Sequence, residues 1–151
     1  MDFDVSTVAP QDVPELGDLI ARVIATSVAA NAPVRAEMTE NALSNLRWSV
    51  EHPEKCCHLK CTAQGGIVGV VLAKNFWNLC SLFVLPEFHG RGVGRTLVLA
   101  AVDHCRGKSE RNALWLNAAT NAVSFYAKLG FIPRSTSQPL PPGFQAMQLS
   151  L

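Results

Sequence analysis

From residue 79 to residue 105 the chain passes from an apolar run, LCSLFVL, through PEFHGRGVGR, into an amphipathic run, TLVLAAVDHC. No other segment restricts the fold as much. An apolar run of this length, closed by Pro86, reads as a central strand buried on both faces. The run after the glycines has helical spacing, so a strand gives way to a helix across a short connection. A buried strand and an amphipathic helix side by side need a layered arrangement, helix against sheet. At the junction Gly90, Gly92 and Gly94 alternate with other residues, and Arg91 and Arg95 stand among them.

The flanking sequence supplies the other layers. Residues 12–29 place Val13, Leu16, Leu19, Ile20, Val23 and Ile24 at helical spacing, with Pro14 near the start. NAPVRAE breaks that pattern, and residues 39–51 are expected as a second helix with Thr39 as its N-cap and Pro53 beyond its end. Strands are expected over 56–63 and 67–73 around a turn at Gly65-Gly66, then over 79–85. A third helix is expected over 92–106, a strand over 113–118, a short fourth helix ending at Gly130, a strand starting at FIPR, and a last strand from residue 144. This order predicts a mixed sheet with helices on both faces, antiparallel early and with a parallel step around the third helix.

Composition removes several functions. A chain of 151 residues suits one domain over 1–151 with a real core, and a hydrophobic fraction of 48% argues against disorder. No apolar stretch approaches the ~20 residues that a bilayer-spanning helix needs. MDFDVSTVAP has two acids and no basic segment, so no signal peptide is expected. A formal net charge of +1 offers no basic field for nucleic acid, so any anion site must be local. The five cysteines, an odd number without an export signal, are expected as reduced thiols in a cytoplasmic protein. CCHLKC, 56–61, invites a metal, but zinc sites use four ligands, often in two separated pairs, and there is no second pair. Cys57, Leu59 and Cys61 also alternate with His58 and Lys60 as in a strand, so no metal is expected.

The glycine segment has two physical readings. The first turn of a helix carries N–H groups without partners and roughly half a positive charge from the macrodipole. Gly90, Gly92 and Gly94 let the backbone approach a ligand and permit φ > 0, so inward N–H groups form a phosphate cradle with Arg91 and Arg95 at its sides. The alternative is a tight strand-to-helix turn with solvated arginines. The Walker A pattern does not fit, because Gly94-Arg95-Thr96 lacks the lysine and His89 occupies the first glycine position. The dinucleotide pattern G-x-G-x-x-G fails at Arg95.

The spacing His89-Gly90-Arg91-Gly92-Val93-Gly94 resembles the Gln/Arg-x-x-Gly-x-Gly/Ala motif of the GNAT superfamily of acetyl-CoA-dependent N-acetyltransferases. LFVLPEF before it looks like that family's strand end, and NAATNAVSFYAKLGF, 117–131, is similar to its last strand–helix element with a helix tyrosine. The resemblance is strong over 79–134, and the flanks agree in the order of elements. His89 stands where Gln or Arg is usual, Asn78 where many members place a glutamate, and Ala119 where a polar residue is common.

The resemblance implies an α/β (α+β) fold, a GNAT-like mixed and mostly antiparallel sheet of about six to seven strands flanked by about four helices. It implies acetyl-CoA as cofactor and direct acetyl transfer to a primary amine of a small molecule or peptide. It assigns His89, Gly90, Arg91, Gly92, Val93, Gly94 and Arg95 to the pyrophosphate. The backbone at Leu82, Phe83 and Val84 would pair with the pantetheine arm, and Asn117 and Asn121 would flank an opening between the central and last core strands. Helix capping and a solvated polar face are equally good readings of the two asparagines. Tyr126 would be the general acid at the coenzyme sulfur, although Ala122, Phe125, Tyr126 and Leu129 share one helix face and read equally as core. Glu37, His52, His58 and Asn78 through a water are the candidates for a base, and no His/Asp arrangement supports Cys80 as a nucleophile. A non-catalytic acyl-CoA-binding module and a nucleotide-phosphate binder remain alternatives. Dimers are common among such domains, an analogy of fold only.

Overall fold

A computed structural model describes residues 2–28 and 30–151. The chain orders β1 (Asp4–Thr7), α1 (Val13–Ser27), α2 (Ala32–Glu51), β2 (Cys56–Ala63), β3 (Gly66–Lys74), β4 (Asn78–Val84), α3 (Val93–Cys105), β5 (Ala113–Ala119), α4 (Val123–Lys128), β6 (Ile132–Pro133) and β7 (Phe144–Ser150). The strands form one seven-stranded sheet in the order β1-β2-β3-β4-β5-β7-β6. Every neighbouring pair is antiparallel except β4 and β5, which are parallel and joined through α3. The four α-helices, the mixed sheet and its parallel step match the architecture expected above. No helix among the described residues is long and apolar enough to cross a membrane.

Two cores lie on the two faces of the sheet. α1 buries Leu16, Leu19, Ile20, Val23 and Ile24 with Ile67 and Val70 of β3. α3 buries Val93, Leu97, Val98, Ala101, Val102 and Cys105 against Cys57, Leu59, Cys61, Val71 and Leu114. β3 is therefore covered on both faces, which is why GIVGVVLAK reads as a nearly continuous apolar run. Gly69 sets the approach of α3: a Cβ there would come within 2.9 Å of both Leu97 Cδ1 and Val93 Cγ1.

CCHLKC is a strand, β2, with Cys57, Leu59 and Cys61 on the α3 side. His58 points the other way and is 8% exposed, its Nδ1 3.0 Å from Ser49 Oγ on α2. The Ser49 hydroxyl donates to the Leu46 carbonyl at 2.8 Å, so its oxygen accepts from His58 and places the imidazole proton on Nδ1. Burial pushes His58 down to about 4, against the pull of the Asp12 carboxylate. The unfolded chain, near pKa ~6.5, then binds a proton before the native state does. Native stability should fall as pH drops from about 6.5 to about 4, by on the order of 3 kcal/mol in all. His58→Gln should remove that part of the slope when urea midpoints are followed against pH; an unchanged slope would clear His58 of the effect.

Two expectations are corrected. The second helix begins at Ala32 rather than Thr39: Asn31 Oδ1 accepts from the Val34 N–H at 2.9 Å, so NAPVRAE is a capped first turn with Pro33 where its missing N–H costs nothing. Thr39 is interior and its hydroxyl donates to the Arg35 carbonyl. A strand, β1, also precedes the first helix and pairs with β2 at the sheet edge. Ala29, the expected last residue of the first helix, lies outside the described residues.

Candidate active site

β4 and β5 meet in a single register pair, Asn78 with Trp115, closed by the Trp115 N–H on the Trp77 carbonyl at 2.7 Å. Beyond that pair the strands part. Leu82, Phe83 and Val84 keep their partners Val71, Val70 and Gly69 on the β3 side, and β5 keeps its partners on the β7 side. The facing edges thus carry backbone groups with no ladder, and buried groups of that kind need a partner. Between them opens a cleft of about 610 Å³. Leu82, Phe83 and Val84 line one wall and Leu116, Asn117 and Ala118 the other, and the start of α3 closes one end.

That end has the geometry of a cradle. Gly90 and Gly92 adopt φ of +74° and +83°, and a Cβ built on either meets nothing within 4 Å. Both sit in the left-handed region that favours glycine, beside open space. The Thr96 N–H makes the first helical bond, to the Gly92 carbonyl, so the N–H groups of Val93, Gly94 and Arg95 have no intrahelical acceptor. Gly94 is a glycine for another reason: a Cβ there would lie 3.3 Å from Phe125 Cζ, so its absence lets α4 pack on α3. The Val93 side chain is buried in the core, which leaves only its backbone at the site.

The cations divide. Arg95 lines the cleft, whereas the Arg91 guanidinium lies 5.3 Å over the Phe88 ring and Arg91 is not among the described lining residues. His89 also lines the cleft, with Nε2 2.7 Å from the Val84 carbonyl. A carbonyl only accepts, so Nε2 carries the proton and that oxygen is occupied.

Tyr126 lies on the cleft wall, 9% exposed, with edge-on contacts to Phe125 at 5.0 Å and Phe131 at 5.6 Å. A Schellman turn ties α4 down. Gly130 has φ of +101°, the Phe131 N–H bonds the Tyr126 carbonyl at 3.1 Å, and the Gly130 N–H bonds the Ala127 carbonyl at 3.0 Å. Burial pushes the phenol up to about 12, so it stays a proton donor at ordinary pH. Asn117 and Asn121 line the cleft opposite β4. Neither caps a helix, since Ala119 and Ala122 hold the capping positions without side-chain bonds.

The base candidates lie elsewhere. His58 is buried under α2, His52 stacks on Trp48 at 4.9 Å with Nδ1 2.9 Å from its carbonyl, and Glu37 is exposed on α2. Asn78 stands at the joined end of β4 and β5. None of the four is among the described lining residues. Cys80 does line the cleft, and burial raises its thiol, which disfavours a thiolate nucleophile. The structure adds Ser27, Val28 and Met38, at the end of α1 and in α2, and Phe144, at the start of β7, to the lining. No local motif marks these residues; they converge only when the sheet forms.

Comparison with known proteins agrees with this geometry. An uncharacterized N-acetyltransferase of Methanocaldococcus jannaschii is 30% identical over 83 residues, 47% of this chain, and the match spans 37% of that relative's length. The crystal structure of PaiA N-acetyltransferase from Thermoplasma acidophilum, in complex with coenzyme A, superposes with a TM-score of 0.82 at 16% identity, covering 100% of both chains. A GCN5-related N-acetyltransferase from Rhodopseudomonas palustris superposes with a TM-score of 0.79 at 23% identity, covering 100% of this chain and 97% of its own. At these identities the two structures speak to the fold. A family model described as the acetyltransferase (GNAT) domain matches residues 25–140, well over half of the sequence, and this chain therefore belongs to the GNAT acetyltransferase family.

Proposed function

We propose that the chain is an acetyl-CoA-dependent N-acetyltransferase, acting as one domain over 1–151, that moves an acetyl group by direct transfer to a primary amine of a small molecule or peptide. The observation that carries this reading is the continuity of one cleft from the parted edge of β4, past Tyr126, to the glycine turn at the start of α3. The cofactor supplies an acetyl carbonyl activated as a thioester, open to a neutral amine. The residues present fit it. The free N–H groups of Val93, Gly94 and Arg95, with the open left-handed turns at Gly90 and Gly92, suit a pyrophosphate. The cleft-facing edge of β4 over Leu82, Phe83 and Val84, where Leu82 and Val84 turn their backbone groups away from β3 and the Val84 carbonyl is taken by His89, suits an extended polar arm, bound as an added strand would be.

The protein's own groups then have defined tasks. A backbone N–H of that edge would, with acetyl-CoA bound, be able to stabilise charge on the acetyl oxygen, by roughly 3 to 4 kcal/mol in acyl-transfer sites of this kind. His89 holds the Val84 carbonyl and so shapes the passage from strand to turn. Asn117 and Asn121 flank the arm from the opposite wall. Tyr126, on the cleft wall, would donate from Oη to the coenzyme sulfur as it leaves. Arg95 adds charge at the cradle and Arg91 at its rim. Arg95→Ala and Arg91→Ala should each weaken coenzyme A binding only a few-fold, and the difference should shrink at high salt, because exposed charge contacts contribute little. A large, salt-independent loss by calorimetry would contradict this.

Mass spectrometry of the protein with acetyl-CoA and a panel of primary amines tests the reading. One acetyl group should appear on an amine and free coenzyme A should accumulate. Thermal stabilisation by the coenzyme with no acetylated product from any amine would leave a binding module in place of an enzyme.

A further inference from the structure

A second cavity of about 490 Å³ adjoins the cleft and shares Val28, Met38, Asn121 and Phe144 with it. It lies between Ser27, Val28, Ala30 and Asn31 on one side and the loop that leads into β7 on the other. Val28, Val34, Met38, Pro142 and Phe144 give it an apolar wall. Val34 and Phe144 are 39% and 38% exposed, two large apolar side chains facing the same groove. Its described polar side chains are Ser27, Asn31, Thr120 and Asn121, all neutral, and Asn31 Oδ1 is taken by the α2 cap.

No charged side chain is among the described lining residues of the groove. Arg35 donates to the carbonyl of Ala30, a lining residue, at 2.6 Å, but Arg35 itself is not among the described lining residues. Arg95 stands at the cradle end of the cleft. Glu37 and Glu40 are exposed on α2 and, like Arg35, outside both linings, and Glu87 is held by Arg22 at 2.9 Å. An ammonium in the groove would meet no described carboxylate, at a desolvation cost with nothing to offset it. An aromatic body, by contrast, finds Met38 and Phe144, whose thioether and ring both favour aromatic contacts.

We propose that the acceptor is a weakly basic primary amine on an aromatic body, the chemistry of an arylamine, which enters this groove already as the free base. The inference rests on the acetyltransferase reading above. In the transfer, nitrogen forms a bond to the acetyl carbon and the carbon–sulfur bond breaks with its electron pair on sulfur. The proton that nitrogen loses ends on that sulfur as the free thiol, so no net proton is exchanged with solvent. A strongly basic amine must shed an extra proton first. At neutral pH only about one in a thousand molecules of an amine with pKa ~10.4 is the free base.

The test compares the full chain's kcat/KM for aniline and for a phenylalkylamine of similar size across pH, with acetyl-CoA binding measured in parallel. An aryl nitrogen is a weaker nucleophile, which offsets part of that thousandfold factor. Aniline should still lead by tenfold or more at neutral pH, with a level profile, while the phenylalkylamine rises about tenfold per pH unit below its own pKa. Preference for the phenylalkylamine at neutral pH, with a level profile, would show that a proton acceptor serves the site; the inference would fall and the acetyltransferase reading would stand. No acetylation of any amine, despite coenzyme binding, would overturn that reading and this inference with it. Val34→Glu adds a carboxylate in the first turn of α2, where an acid also suits the helix dipole. It should narrow the aniline preference tenfold or more with acetyl-CoA affinity unchanged, and an unaltered ratio in the folded variant would remove this groove as the acceptor's place.

Discussion

Gly92→Val is expected to weaken coenzyme A binding by about 10²-fold or more, on the order of 3 kcal/mol, in a protein that still folds. Gly92 holds φ at +83°, where a β-branched residue pays a strain of about 1–2 kcal/mol. That is less than the total stability of an ordinary domain, about 5–15 kcal/mol. Apart from its chain neighbours, no atom of a described residue lies within 4 Å of the Cβ position, so the Cβ meets no clash in the free protein. The new side chain occupies instead the space beside the free N–H groups that a pyrophosphate would enter. Gly92→Ala should give a smaller loss of the same kind. Gly94→Val should behave differently: its Cβ meets Phe125 at 3.3 Å, so it should lower the melting temperature as well as the affinity. Calorimetry with coenzyme A decides the matter. Unchanged affinity in a folded Gly92→Val protein would take the pyrophosphate away from the α3 turn.

Tyr126→Phe is expected to lower kcat by about 10²-fold with little change in acetyl-CoA affinity. The substitution keeps the ring, its contacts with Phe125 and Phe131 and the Schellman turn that fixes them, and removes only the hydroxyl. No hydrogen bond joins that hydroxyl to another described residue, so its loss should leave no orphaned partner within the protein. Energetics limit what the phenol does. With its pKa pushed up to about 12 and a thiol near ~8.5, complete transfer to a free thiolate is uphill by about 5 kcal/mol. In the proposed role the hydroxyl would therefore donate a hydrogen bond as the carbon–sulfur bond lengthens, with the proton moving in concert with bond breaking. Tyr126 should also stay protonated through neutral and mildly alkaline pH, so it contributes no alkaline limb to the rate in that range. Near wild-type kcat in a folded Tyr126→Phe protein, measured where chemistry limits the rate, would return the residue to the core.

Most of the architecture was legible because its signals are local. The helical stripe of α1, the strand alternation of β2, the apolar run of β4 and the Gly130 stop after α4 each depend on residues within a few positions of one another. The start of α2 is legible in principle, since Asn31 followed by Pro33 is an N-cap with a proline in the first turn, but NAPVRAE also interrupts the apolar spacing and so imitates a break. β1 is short and owes its pairing to β2, which no local pattern announces.

The sequence by itself determined most of the elements, their order and the glycine turn, because periodicity, capping and turn chemistry act over short spans of chain. Only the tertiary structure decided how those parts serve a site. It parted β4 from β5 after one pair, committed His89 to the Val84 carbonyl, buried His58 beneath α2, and set Gly94 against Phe125 where Gly92 faces open space. It also joined Val28 and Phe144, more than a hundred residues apart, into one uncharged groove. Strand divergence and groove lining depend on how the layers pack on both faces of the sheet at once, a balance of long-range contacts that no local stretch of residues encodes.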